Sequence, residues 1–206
     1  MTPFTTLTAL AAPLDVVKID TGMIIPGRYN RKYRRPGFPD YAEAFLHDLR
    51  FDTAEKLRPD FVLNQPAFQG AEILVTALDF GCGSSRETAA YATMDFGLRA
   101  LIGVGFGDIF HSNCLQNGIL TVVLLQLEIS ELWRQLLAKP GSKVTIDLEN
   151  QTVTTPEGNI YAFDMDPTRK RRLLLGQDDV DVTMEYMSQL EAFEESYRKE
   201  MTWLNL

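Results

Sequence analysis

The chain has little of what builds metal centres and redox sites. Its 206 residues include two cysteines, Cys82 and Cys114, and two histidines, His47 and His111. Two cysteines cannot form a disulfide framework, and they fall short of the ligand set of a structural zinc or an iron–sulfur cluster. Positive charge is also scarce: 20 basic residues stand against 28 acidic ones, a net charge of −8. That argues against a nucleic-acid-binding surface over the whole molecule and leaves room only for a local basic patch. No apolar run approaches the length needed to span a bilayer. The mildly apolar start, Met1 to Pro13, lacks the basic opening of a secretion signal. The expectation is a soluble, cytoplasmic protein with neither membrane nor nucleic acid as partner. Hydrophobic residues make up 45% of the chain, enough for a full core.

The pattern reads as one α/β unit over residues 1–206, without repeats or low-complexity tracts. Val16 to Asp20 reads as a short strand, Thr21 to Gly27 as a loop and Tyr41 to Asp48 as a short helix. The middle alternates. Strands are expected at Ile73–Leu78, Ala100–Val104 and Ile119–Leu125, with helices at Glu87–Phe96 and Asp108–Gln116 between them and Glu128–Ala138 after them. This β-α-β-α-β order predicts a mostly parallel central sheet with right-handed crossovers. Val144, Ile146 and Leu148 then alternate with polar residues, and the Pro156–Asn159 turn leads back through Ile160–Phe163, so β-hairpins are expected. Pro167–Leu175 reads as a basic helix ended by Gly176. Residues 178–206 are expected to form a helical extension packed on the body, since Met184, Met187, Leu190, Phe193, Tyr197 and Met201 recur at threes and fours.

The densest polar site is Gly81-Cys82-Gly83-Ser84-Ser85-Arg86-Glu87. It follows an expected strand and opens an expected helix. A helix N-terminus attracts anions, because its N–H groups lack partners and its dipole is positive. Arg86 can grip a carboxylate through two parallel hydrogen bonds, and Glu87 is placed to hold it. The bland alternative is a tight turn with a serine cap. Three familiar motifs do not fit. A nucleophile elbow needs glycine at Glu87, a phosphate loop needs glycine-lysine-serine/threonine, and a dinucleotide fingerprint needs a third glycine. Cys82 reads as a small turn residue rather than a nucleophile, and Cys114 as core. The basic segment Arg28 to Arg35, interleaved by Tyr29 and Tyr33, suits either an acidic ligand or a docking surface.

Several stretches in fixed order carry a resemblance. They are Asp20-Thr21 with Ile24-Ile25-Pro26, Pro59 to Pro66 (PDFVLNQP), Phe80 to Glu87 (FGCGSSRE), and Asp108-Ile109-Phe110 with Asn113-Cys114 and Asn117-Gly118. Over nearly its whole length the chain resembles the small subunit of isopropylmalate dehydratase, which is similar to the swivelling domain of aconitase. The resemblance implies a swivelling β/β/α fold. It implies a hydro-lyase active only with a large subunit, as heterodimer or heterotetramer. A 4Fe-4S cluster would sit on that large subunit and none on this chain. It implies Ser84 as the catalytic base, acting as alkoxide, with Ser85, Arg86, Thr21 and Arg28 binding substrate and Asp20, Gly81, Gly83 and Glu87 in support. The reaction implied is dehydration of 2-isopropylmalate and rehydration to 3-isopropylmalate, in leucine biosynthesis. Departures fall at Gly22 (usually aspartate), Met23 (usually polar), Thr88 (usually histidine) and Gly105-Phe106-Gly107. They keep two alternatives open: a related hydro-lyase acting on citraconate/methylmalate or dimethylmaleate, and a non-catalytic binding paralogue.

Overall fold

The computed structural model describes residues 1–30, 35, 40–83 and 86–203. Among these, seven strands form one sheet in the order β4-β3-β2-β1-β5-β6-β7. Its middle strand, β1 (Thr6–Leu14), serves two neighbours. Ala11–Leu14 pair in parallel with β2 (Ile73–Thr76), while Thr6–Leu10 pair antiparallel with β5 (Lys143–Asp147). Parallel pairing continues through β3 (Ala100–Gly103) to β4 (Leu120–Val123). On the other side, β6 (Thr152–Thr154) and β7 (Ile160–Ala162) extend the sheet as antiparallel hairpins.

Strand periodicity sends alternate residues to opposite faces, and two cores result. Leu74 of β2 and Leu101 of β3 pack with Ala89, Ala90 and Ala92 of α3 (Thr88–Asp95) and with Phe110 and Cys114 of α4 (Asp108–Gln116). On the opposite face, Ile73, Val75 and Ile102 pack with Ile129, Leu132 and Leu136 of α5 (Gln126–Ala138). The parallel strands are buried on both faces, as helix-covered strands must be. Small segments close the first core: α1 (Thr21–Ile24), α2 (His47–Arg50) and two 3-10 turns at Val62–Asn64 and Pro66–Phe68.

Three readings of the sequence are corrected in the N-terminal part. The strand is Thr6–Leu14, not Val16–Asp20. Residues 15–19 turn, with Lys18 at φ 55°, and only Asp20 keeps a bridge, to Cys82. Thr21–Ile24 is a short helix rather than a loop, because the Asp20 carboxylate accepts the Met23 N–H at 2.8 Å. The expected helix at Tyr41–Asp48 is mostly turn, and a single helical turn starts at His47.

The C-terminal segment is helical. The α6 helix (Pro167–Leu175) is capped by Asp166, whose carboxylate accepts the Arg169 N–H, and it stops at Gly176, φ 67°. It holds α7 (Asp179–Met184) through Arg172–Asp179, and Arg171 and Gln177 reach Glu185 just beyond. Neither α7 nor α8 (Met187–Glu200) has a buried residue, and Leu190 and Phe193 stand exposed. Among the described residues no helix is long and apolar enough to cross a membrane.

Candidate functional site

The glycine turn lies just past the carboxyl end of β2, a usual place for ligands in open α/β sheets. Its backbone is sewn to the segment after β1. Gly81 N–H donates to the Ile19 carbonyl at 2.7 Å, and Thr21 N–H to the Cys82 carbonyl at 3.1 Å. Gly81 and Gly83 take φ of 75° and 87°, a region that side chains resist. At Gly81 the crowding is independent of φ, since a Cβ would meet the Phe110 ring at 2.2 Å. The turn therefore runs where only glycine fits.

Beside it, a cavity of about 230 Å³ is lined by Thr21, Gly22, Ile25, Gly27, Asn30, Arg86, Thr88 and Ala89. It sits at the N-terminus of α3, where the N-cap residue Glu87 makes no side-chain cap. Arg86 is exposed, and no acidic side chain among the described residues pairs with it. Glu87, expected to hold it, instead accepts from Asn117 Nδ2 at 3.2 Å. An exposed guanidinium, a helix N-terminus and a cavity thus share one place, which is what a carboxylate ligand needs. Two further atoms, Asn30 Oδ1 and Thr88 Oγ1, are buried without a hydrogen-bond partner among the described residues. Such atoms cost about 1–3 kcal/mol each when left unmet, and they belong to residues that line the cavity.

The remaining expected site residues divide. Thr21 lines the cavity at 9% exposure, and Asp20, just before it, is the N-cap of α1. Ser84 and Ser85 lie outside the described residues, as do Arg31, Lys32, Tyr33 and Arg34 of the basic segment. Arg28 does not join Arg86. It faces a separate cleft, where Nη1 donates to Asp48 Oδ2 at 3.1 Å and Nη2 lies 3.1 Å from His47 Nδ1. That contact raises the Arg28 pKa and holds the Asp48 carboxyl below the usual range, chiefly through the hydrogen bond between them. Gly27 and Asn30, in the loop after Ile24-Ile25-Pro26, also line the cavity, where the chain turns at Pro26 with Tyr29 N–H on the Pro26 carbonyl at 2.8 Å. Thr88 and Gly22 were visible only as departures from the family pattern.

Neither histidine lines the cavity. His47 sits in the Arg28 cleft, and His111 Nδ1 lies 2.6 Å from Thr121 Oγ1. A larger cavity of about 840 Å³ lies between α4 and the α6–α7 region, where Arg172 is already paired with Asp179; it lacks the turn's geometry.

An iron–sulfur cluster does not fit this chain's own donors. Cys114 is fully buried, which pushes its thiol well up, and Cys82 stands alone. No group of three or more His, Cys, Asp or Glu among the described residues is placed to hold a metal ion.

Comparisons with known proteins show the family of the chain. Residues 1–127 match the model of the Aconitase C-terminal domain family, and residues 130–167 match LeuD_N. The chain is 43% identical over 204 residues to the 3-isopropylmalate dehydratase small subunit of Roseobacter denitrificans, covering 99% of this chain and 100% of that one. It is 44% identical over 206 residues to the protein of the same name from Leptospira interrogans, covering 99% and 98%. In fold it is similar to the crystal structure of 3-isopropylmalate dehydratase (LeuD) from Methanocaldococcus jannaschii, with a TM-score of 0.63 at 22% identity over 93% of this chain and 99% of that one. With likeness running from end to end, the chain belongs to the family of 3-isopropylmalate dehydratase small subunits, built on an aconitase C-terminal domain.

Proposed function

We propose that this chain is the small subunit of a 3-isopropylmalate dehydratase, a hydro-lyase that interconverts 2- and 3-isopropylmalate with a large subunit in the cytoplasm. The observation that carries the reading is the exposed Arg86 at the start of α3, in a cavity it shares with Thr21 and Thr88. A guanidinium with no acidic partner among the described residues, in a helix N-terminal field, suits one carboxylate of a hydroxy-diacid.

Arg86 holds that carboxylate, and Ser85 donates a further hydrogen bond to it. Ser84, two residues ahead of Arg86 in the chain, takes as alkoxide the proton from the carbon next to that carboxylate. The hydroxyl departs from the neighbouring carbon, leaving a cis-alkene. Water then returns with the two positions exchanged. A serine hydroxyl is a weak acid, so the base role depends on the positive field around it. The 4Fe-4S cluster belongs to the large subunit in this reading and supplies Lewis-acid help when bound. The assembly is a heterodimer or heterotetramer.

A second reading keeps the chemistry and changes the side group. Asn30 Oδ1 and Thr88 Oγ1 are polar atoms on cavity-lining residues that find no partner among the described residues. A substituent smaller than isopropyl, such as the methyl of citraconate/methylmalate, would leave room for water beside them. The test is reconstitution with the large subunit, following alkene absorbance with 2-isopropylmalate and with methylmalate. Faster turnover of 2-isopropylmalate, lost in Ser84→Ala with little change in KM, is the expected result. Near-normal turnover in Ser84→Ala removes that serine from the base role, and inert mixtures on both substrates sink the hydro-lyase reading.

A further inference from the structure

The turn at Pro26–Asn30 has two faces. Gly27 and Asn30 line the cavity that holds Arg86. Arg28 and Tyr29 face the other way, onto His47. That histidine is 2% exposed, stacked on Phe51 at 4.4 Å and 16°, with the Tyr29 ring 5.0 Å away. Both of its nitrogens are engaged. Nδ1 lies 3.1 Å from Arg28 Nη2, and Nε2 lies 3.1 Å from Glu55 Oε2.

The chemistry of the partners fixes the proton. A guanidinium only donates, so Nδ1 must accept from Arg28. A carboxylate only accepts, so Nε2 must carry the hydrogen given to Glu55. Asp48 Oδ1 is also near Nδ1, but at 3.4 Å, and Arg28 covers that nitrogen more closely. Asp48 binds Arg28 instead, through both carboxylate oxygens. His47, Asp48 and the Tyr29 ring therefore hold the Arg28 side chain from three directions, with its guanidinium carbon 4.8 Å from the Tyr29 ring centroid.

We propose that His47 is a positioning residue for the cavity: a neutral imidazole, protonated on Nε2, that clamps Arg28 and through it sets the turn bearing Gly27 and Asn30. The consequence for substrate rests on the reading of the cavity as the substrate site; the clamp itself does not. Arg28 in this view anchors the cavity wall and does not touch substrate.

The experiment uses two variants and two kinds of measurement. His47→Phe keeps a ring for Phe51 and loses both hydrogen bonds. His47→Asn places an amide oxygen near the Nδ1 position and keeps an acceptor for Arg28. In the isolated full chain, long-range proton–nitrogen NMR is expected to show Nε2 protonated and Nδ1 bare. Hydrogen exchange at the Tyr29 and Asn30 amides is expected to quicken in His47→Phe and to recover in His47→Asn. In the two-subunit enzyme, His47→Phe is expected to raise KM about ten-fold, the scale of a lost hydrogen bond to a charged group, with kcat within about two-fold. An Nδ1-protonated ring, or unchanged exchange at Tyr29 and Asn30, overturns the clamp. Quickened exchange with an unchanged KM overturns its link to the cavity. If His47→Phe does not fold, the wild-type spectrum and His47→Asn decide the matter. If the wild-type pair is inert, the hydro-lyase reading fails while the NMR and exchange results still judge the clamp.

Discussion

Gly107 presses so closely on Gly81 that a Cβ at position 107 would sit 2.3 Å from the Gly81 carbonyl oxygen. The obstacle is backbone on both sides, so neither can give way by rotating a side chain. Gly107 N–H also donates to the Phe80 carbonyl at 3.0 Å, binding the start of α4 to the turn that carries Arg86. Gly107 itself has an ordinary φ of −62°, so the constraint is contact and not backbone strain. Gly107→Ala is expected to destabilise the chain by about 1–3 kcal/mol, the usual cost of overpacking. Urea unfolding measures this, and an unchanged midpoint would contradict it.

The parts of this fold that were legible in sequence are those with local punctuation. The helix Asp108–Gln116 was bounded by Gly107 and Asn117-Gly118, and Pro167–Leu175 by Asp166 and Gly176. Strand β1 was not legible. Its core run Ala11-Ala12-Pro13 combines residues depleted in strands. Tertiary context overrides that preference, because the strand is pinned between β2 and β5 with Ala11 and Ala12 wholly buried. Val16–Asp20 had the better strand composition but only Asp20 found a partner. The tail's apolar stripe predicted helix correctly, yet periodicity says nothing about whether a face finds a neighbour, and α8 buries no residue. At the site, the glycine spacing exposed the turn and Arg86. The direction of Arg28 was hidden, because Asp48 and His47, which turn it, lie 20 and 19 positions away.

Arg86→Lys should separate charge from shape. A lysine keeps the positive charge in the cavity but has no planar fork for two parallel hydrogen bonds. In the reconstituted enzyme KM is expected to rise about ten-fold, the equivalent of one good charge-assisted bond. Turnover at saturation should change less. Because Arg86 is exposed and Glu87 is bound to Asn117, the melting temperature should barely move. An unchanged KM would exclude a two-pronged grip.

His111 predicts a stability change with pH. Its pKa is lowered from the usual value near 6.5, first by burial and then by Arg169, with Asp108 opposing. The unfolded chain therefore holds a proton on this ring at pH values where the folded chain does not. Stability from this source is complete above about pH 6.5 and falls as the pH drops from there towards the lower folded value. Urea midpoints at pH 7.5 and pH 5 measure the drop. His111→Gln, which has no titrating ring, is expected to lose less stability over that interval than the wild type. Equal losses would assign the acid sensitivity elsewhere.

The two thiols should differ in reactivity. Cys114 is fully buried on α4, and burial pushes its pKa well above the usual value, so the reactive thiolate is suppressed. Cys82 is partly exposed on the turn, one residue from Gly81 and bridged to Asp20. A maleimide is expected to modify one thiol per native chain, at Cys82, and the second only after unfolding; peptide mapping identifies the site. If the turn faces the large subunit, adding that subunit should slow modification of Cys82 without denaturant or substrate present. Labelling of Cys82 at an unchanged rate in the assembled pair would place the turn away from the subunit contact, and the proposed sharing of one site by two chains would fail with it.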